Sequence, residues 1–268
     1  VRASLTSNQE LTGVLSGQWG AYGMVPADAT FLLHCSVVKH FIGGGYYPVG
    51  GSWKIADTIT AVIRGGGGEV FTYAPVEQIL VEGNRALGVR MKYGSEVRAD
   101  RVVSGAGIRN TIEHLLPDSA RQQHKLDAKL ETVRPSSAHL CIYAGFKGSA
   151  EELGLPKPNL WIYPTPHHEQ NYQAYLQDRD QPFPLIYVSF PSAKDPAWAG
   201  EHPDKSTVEI ITMGPYDWFE QWADTTWGQR GEEYEAVKDQ ISKRMLEVLF
   251  EHLPQLRDAL DFHELSTP

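Results

Sequence analysis

Apolar positions along the chain recur in two registers, every three to four residues in some stretches and every second residue in others. Residues 8–18 place Leu11, Val14 and Leu15 at helical spacing behind a Ser7 or Asn8 cap, predicting a short amphipathic helix. Residues 27–42 repeat Phe31, His34/Cys35, Val38 and Ile42, predicting a second helix that Gly43 to Gly45 stop. Tyr46-Tyr47-Pro48-Val49-Gly50-Gly51-Ser52 then reads as a rigid turn ending in a helix cap. The next helix buries Ile55, Ile59 and Val62/Ile63 on one face and ends at Gly65 to Gly68. From Glu69 the texture becomes that of strands: Val70–Tyr73, Val76–Val81, Leu87–Tyr93 and Val97–Val103, with turns at Gly83-Asn84 and Gly94-Ser95. This predicts a β-meander. Thr111–Leu116 and residues 119–131 read as helical.

Past Pro135, four further strands are expected at His139–Phe146, Asn159–Tyr163, Leu185–Phe190 and Thr207–Met213. In two of them the alternation is informative. Leu140, Ile142, Ala144 and Phe146 fall on one side with Ile186, Val188 and Phe190, an aliphatic face suited to packing on helices. Cys141, Tyr143, Gly145, Tyr187 and Ser189 fall on the other. A face that mixes rings with small residues gives a long flat ligand both area and room, although a plainly solvated face is the alternative. Glu232–Leu253 repeats Tyr234, Val237, Ile241, Met245, Leu246, Leu249 and Phe250, a long amphipathic helix. No internal repeat is present. The expected class is α/β or mixed α+β.

Length and composition narrow the picture only a little. The 268 residues suit one large or two ordinary domains, and 41% hydrophobic with 21% charged residues is globular. The 24 Lys and Arg against 33 Asp and Glu leave a formal net charge of −9 without a basic run, which argues against nucleic acid as a partner. Cys35 and Cys141 are too few for a disulfide framework and read as reduced, buried thiols, hence a reducing compartment. No apolar run reaches the roughly 18 residues of a membrane span. The ends, Val1 without Met and Leu265-Ser266-Thr267-Pro268 after the start of a strand, are expected of a piece of a longer protein.

Candidate chemistry is sparse. Gly105-Ala106-Gly107 follows a strand and precedes a helix, as a dinucleotide-binding turn does. Asn110 stands where the third glycine belongs, however, so a tight turn open to close ligand approach is the better reading. His34 and His40, and the pair His167-His168, lack metal-ligand spacing; solvated loop side chains are the expected reading for the pair, and no metal site is expected. Ser189 and Ser192 lack the glycine-flanked elbow of a hydrolase nucleophile. Asp217–Trp222 reads as a helix start packing Trp218 on Trp222. In Tyr46–Gly51, two glycines before a helix let backbone approach a flat ligand, and a plain turn stands equally open.

Taken together, the stretch from Gly44 to Gly107 resembles the FAD-dependent carotenoid desaturase and isomerase family. Asn110-Thr111-Ile112-Glu113-His114-Leu115-Leu116-Pro117, Phe190-Pro191-Ser192-Ala193-Lys194-Asp195-Pro196 and Tyr216-Asp217-Trp218-Phe219 are similar to its retinol saturase branch, that of the all-trans-retinol 13,14-reductases. The resemblance covers nearly the whole chain and implies two interwoven domains. Residues 1–45 would be substrate-side helices and 46–110 the middle of a partial FAD-binding domain. Residues 111–262 would be a substrate domain with a mixed sheet flanked by helices, and 263–268 a return toward the FAD domain. The family's opening glycine fingerprint and closing flavin-contacting motif are both lacking. The resemblance further implies FAD, with Gly50 and Gly51 facing the flavin ring and polyene, Val76 at the adenine, and Gly105, Ala106 and Gly107 near the cofactor.

NAD(P) is one option as electron donor, and no catalytic acid or base carries over. Tyr143 and Tyr187 are expected to line an apolar groove opening toward Gly50-Gly51. The implied activity is reduction or desaturation of a C=C bond in a retinoid- or carotenoid-like polyene by a flavoprotein oxidoreductase. Carotenoid cis–trans isomerisation, phytoene desaturase-type chemistry and a non-catalytic, flavin-free scaffold remain open beside it. A cytoplasmic or peripheral-membrane location is expected.

Overall fold

The computed structural model describes residues 6–133, 136–226 and 228–268. Pro135, the expected marker before the second set of strands, lies outside them. The chain divides into two compact units, Val1–Asp57 with Ser136–Pro268 and Thr58–Pro135.

In chain order the helices are α1 (Gln9–Ser16), α2 (Phe31–Phe41), α3 (Trp53–Gly65), α4 (Ile108–Asn110, running on as a wider turn over Thr111–Leu115), α5 (Asp118–Gln123) and α6 (Leu126–Leu130). They continue as α7 (His168–Gln177), α8 (Pro191–Lys194), α9 (Trp198–Glu201) and α10 (Glu232–His252). The strands are β1 (Val76–Glu82), β2 (Arg85–Met91), β3 (Glu96–Arg98), β4 (His139–Lys147), β5 (Leu160–Ile162), β6 (Ile186–Ser189), β7 (Lys205–Met213) and β8 (Leu260–Ser266).

In the unit Thr58–Pro135, β1-β2-β3 form the meander, and Ile79, Ile112, Ala120 and Leu130 are its buried apolar residues. Val70–Tyr73 is not a strand, and the third strand is shorter than its apolar run suggests. Ala99 N–H still donates to the Leu87 carbonyl at 3.0 Å, but beyond it the run is largely exposed, with Val103 97% accessible, so little burial rewards its alternation.

The other unit is built on a five-stranded sheet in the order β5-β6-β7-β4-β8. Every described pairing is antiparallel, so the expected mixed sheet is antiparallel and the class is mixed α+β. Strict alternation explains the register. Leu140, Ile142, Ala144 and Phe146 are buried on β4, as are Val208 and Ile210 on β7 and Ile186 and Val188 on β6. They share one core with Ile241, Met245, Leu246, Leu249 and Phe250 of α10. The opposite face of the sheet stays half open.

Three helical faces differ from expectation. Helix α1 packs through Gly13 and Ser16, while Leu11, Val14 and Leu15 are exposed. A Cβ on Gly13 would meet Pro166 at 2.5 Å, so the missing side chain is what admits the neighbouring loop. On α2 only His34 is buried, and on α3 no residue is. Residues 216–222 form two short 3₁₀ turns rather than a helix start: Trp218 packs edge-on against Tyr175, and Trp222 against Tyr234. Cys35 is exposed and Cys141 half-buried, both free, so the buried pair of thiols is corrected. Among the described residues no helix is long and apolar enough to cross a membrane.

Candidate functional site

The open sheet face is fixed by β-pairing. Tyr187 sits opposite Trp161 on one side and Ile211 on the other, and Ile211 is opposite Cys141. One pleat along, Ser189 is opposite Glu209, and Glu209 is opposite Tyr143. Directly opposed residues share a face, so Tyr143 and Tyr187 lie on the same one. Tyr143 is 50% exposed, two strands across from Ser189, about 10 Å at ordinary strand spacing.

Over the β5–β6 end of this face lies a cleft of about 840 Å³. Its aromatic lining is Phe41, Tyr46, Tyr47, Trp161 and Tyr187, with Trp161 and Tyr187 edge-to-face at 4.8 Å between centroids. Tyr143 is not part of the lining. The size falls within the roughly 300–1,000 Å³ of small-molecule sites.

The Tyr46–Gly51 turn reaches this face because it is tied there. Gly50 N–H donates to Asp195 Oδ1 at 2.9 Å, and the same oxygen accepts from Ala197 N–H at 3.0 Å. Gly50 and Gly51 have φ of +88° and +92°, a region that side chains strain, so glycine is required by conformation there. Space is not the constraint, since a Cβ on Gly51 would meet only the Trp53 ring at 3.5 Å. The Tyr47 phenol is held above its usual range mainly by burial, and further by the Glu209 and Asp195 carboxylates.

Polar groups gather at one side of the cleft. Lys194 Nζ donates to Ser189 Oγ at 2.9 Å and to Asn159 Oδ1, while Asn159 Nδ2 donates to the Tyr187 hydroxyl at 2.6 Å. Burial lowers the Lys194 pKa, partly offset by the nearby Glu209 carboxylate. Burial likewise raises that of Tyr187, which keeps its hydroxyl protonated. The sequence reading assigned no role to Lys194, Asp195 or Asn159. The run Phe190–Pro196 carried the only signal, as a shared motif without a mechanism.

The other expected residues fall elsewhere. Val76 opens β1 opposite Met91, and Gly105, Ala106 and Gly107 form the turn into α4, so all four lie in the unit Thr58–Pro135 whereas Gly50 and Gly51 do not. No atom lies within 4 Å of a Cβ added at Gly105 or Gly107. Asn110, in the place of a third glycine, instead donates from Nδ2 to the Ala106 carbonyl at 3.0 Å. His168 is a correction: it is buried, not solvated, and its Nε2–H donates to the Gly13 carbonyl at 2.9 Å. Among the described residues no group of three His, Cys, Asp or Glu is placed to hold a metal.

Comparison with known proteins adds the context. No family model matches the chain. It is 35% identical over 98% of its length to an all-trans-retinol 13,14-reductase of Danio rerio and 34% identical over its full length to that of Homo sapiens. It spans about 45% of the length of both. A prolycopene isomerase of Daucus carota is more distant, at 28% identity over 91% of this chain and 37% of its own. In fold, an oxidoreductase from Methanosarcina mazei superposes with a TM-score of 0.65 at 18% identity, over 99% of this chain and 54% of that one. A Pyrococcus furiosus protein superposes at 0.59 and 17% identity, over 97% and 54%. Along its whole length, and over somewhat less than half of theirs, the chain therefore matches the retinol saturase-like branch of the carotenoid desaturase and isomerase group.

Proposed function

We propose that the chain is part of an FAD-dependent oxidoreductase acting on a C=C bond of a retinoid- or carotenoid-like polyene, and that the aromatic cleft over β5 and β6 is the polyene site. The observation that carries this is the 33–35% identity along essentially the whole chain to all-trans-retinol 13,14-reductases. A cleft of about 840 Å³ lined by five aromatic rings supports it, because rings offer large contact area at little entropic cost.

In this reading the unit Thr58–Pro135 contributes the middle of the flavin-binding domain, and the sheet unit binds substrate. Val76, Gly105, Ala106 and Gly107 would hold the cofactor; the open space in front of Gly105 and Gly107 fits a ligand against bare backbone. FAD, when bound, supplies the hydride chemistry. The chain's own side chains bind and orient the polyene. Trp161 and Tyr187 flank it, Tyr47 covers it from the turn with Tyr46 at the open rim, and Gly50-Gly51 present backbone toward the reacting end. Tyr143 would extend the apolar path across the sheet. A nicotinamide donor and peripheral membrane contact, which would deliver an apolar substrate, complete the proposal. Leu32 on α2 and Ile42 just past its end are both exposed and suit that contact.

A non-catalytic role is kept as the second reading for one reason. A Danio rerio relative named an inactive all-trans-retinol 13,14-reductase is also 33% identical over 99% of the chain, so overall identity does not separate the two. The test is to incubate the longer protein with all-trans-retinol and, separately, with a poly-cis carotenoid and to analyse the products. A saturated retinoid supports reductase activity, an all-trans carotenoid supports isomerase activity, and no turnover with either supports the scaffold.

A further inference from the structure

One side of the aromatic cleft carries polar chemistry that a hydrocarbon ligand would not use. Lys194 Nζ has three N–H donors. Two are directed at neutral acceptors, Ser189 Oγ and Asn159 Oδ1, and among the described residues it has no ion-pair partner. Ser189 and Asn159 line the same cleft, and Asn159 is bound in turn to the Tyr187 hydroxyl, whose ring forms the cleft wall. Four polar groups therefore converge where the β6 strand passes into α8, beside the aromatic faces that line the rest of the cleft. Glu209, opposite Ser189 on β7, is the carboxylate facing this cluster.

An ammonium partly withdrawn from water and held by neutral groups retains unmet demand for an acceptor oxygen. The desolvation that lowers its proton affinity is the same demand seen thermodynamically. Ligand sites of this size are typically apolar with a few convergent polar groups that fix orientation.

We infer that Lys194, Asn159, Ser189 and the Tyr187 hydroxyl form a head-group clamp that reads an oxygen at the end of an otherwise apolar ligand. The inference rests on the reading of the cleft as the polyene site and goes beyond it. It names the side chains that would read the oxygen, and it fixes which end of the ligand enters at the β6–α8 junction. The third Lys194 N–H donates to that oxygen. A hydroxyl and a carboxylate both satisfy it, the carboxylate gaining from the ammonium and losing to Glu209.

The test is direct binding to the full 268-residue chain of three probes of matched skeleton: all-trans-retinol, all-trans-retinoate and axerophtene, the hydrocarbon that lacks the oxygen. Dissociation constants come from tryptophan-to-polyene energy transfer. The clamp predicts that at least one oxygenated probe binds about tenfold or more tighter than axerophtene, the usual worth of a hydrogen bond to a charged group. Lys194→Met removes that preference, read as the ratio of oxygenated-probe to axerophtene constants within the same variant, Lys194→Arg keeps most of it, and Asn159→Ala weakens it. Tighter retinoate assigns the carboxylate as the preferred head, and tighter retinol the hydroxyl. Equal binding of all three probes, or a preference that survives Lys194→Met, overturns the clamp while the polyene site stands. Failure of all three to bind overturns both.

Discussion

The backbone N–H of Gly50 donates a 2.9 Å hydrogen bond to Oδ1 of Asp195, 145 residues further along the chain. Asp195 is buried, and the same oxygen also accepts from Ala197 N–H, so one carboxylate holds the Tyr46–Gly51 turn and the chain leaving α8 together. The aromatic cleft exists in this shape because that tie brings Tyr46 and Tyr47 to the sheet that carries Trp161 and Tyr187.

Asp195→Ala is expected to cost about 2–3 kcal/mol, since two partly buried backbone donors lose a charged acceptor. Urea unfolding should show a lower midpoint at unchanged slope, and the Gly50 amide should exchange faster. A midpoint within error of wild type would mean the turn is held by other contacts.

Gly51→Ala is expected to lose about 1–3 kcal/mol from backbone strain alone, because φ is +92° while the added methyl meets nothing closer than 3.5 Å. In the longer protein, Gly51→Val should abolish turnover even when compared with Gly51→Ala at the same folded fraction. Equal turnover in the two variants would make the turn purely structural.

Alkaline pH offers a separate check on the core. Tyr175 is buried and Tyr163 half-buried, their hydroxyls donating to the carbonyls of Met213 and Gly17, and burial raises both phenols well above the ordinary 10.0. The native state keeps these protons where the unfolded chain has lost them, so stability falls as pH rises beyond about 10. Phenolate absorbance should accordingly develop in two phases, the later one coinciding with loss of ellipticity. A single early phase accounting for all twelve tyrosines would contradict their burial.

How far the sequence foretold this depended on whether local spacing encodes the feature. The strands were legible because Leu140, Ile142, Ala144 and Phe146 alternate with Cys141, Tyr143 and Gly145, and a one-residue slip would turn the whole set to solvent. The same alternation placed Tyr143 and Tyr187 on one face. The helices misled because the largest apolar side chains of α1 point outward, and close packing is made by Gly13 and Ser16, which periodicity does not score. The pairing of Gly50 with Asp195 and the convergence of Lys194, Asn159 and Tyr187 join residues far apart in sequence, so no spacing rule carries them.

Flavin content of the 268-residue chain gives a simple colour test. The turn Gly105–Gly107 has Asn110 where a dinucleotide-binding turn has its third glycine, and the glycine fingerprint that holds a pyrophosphate on a helix N-terminus is not among these residues. The chain purified by itself should therefore be colourless. A yellow preparation with stoichiometric FAD would show that this turn and the meander suffice to bind the cofactor.

The central claim, that the chain serves flavin-dependent chemistry on a polyene, is tested most directly by anaerobic incubation of the longer, flavin-loaded protein with a reductant and all-trans-retinol. The account predicts bleaching of the flavin absorbance by the reductant, its recovery on addition of retinol, and a product carrying one more pair of hydrogens. Reduced flavin that is unchanged by retinol and by poly-cis carotenoid, with both recovered intact, would contradict it.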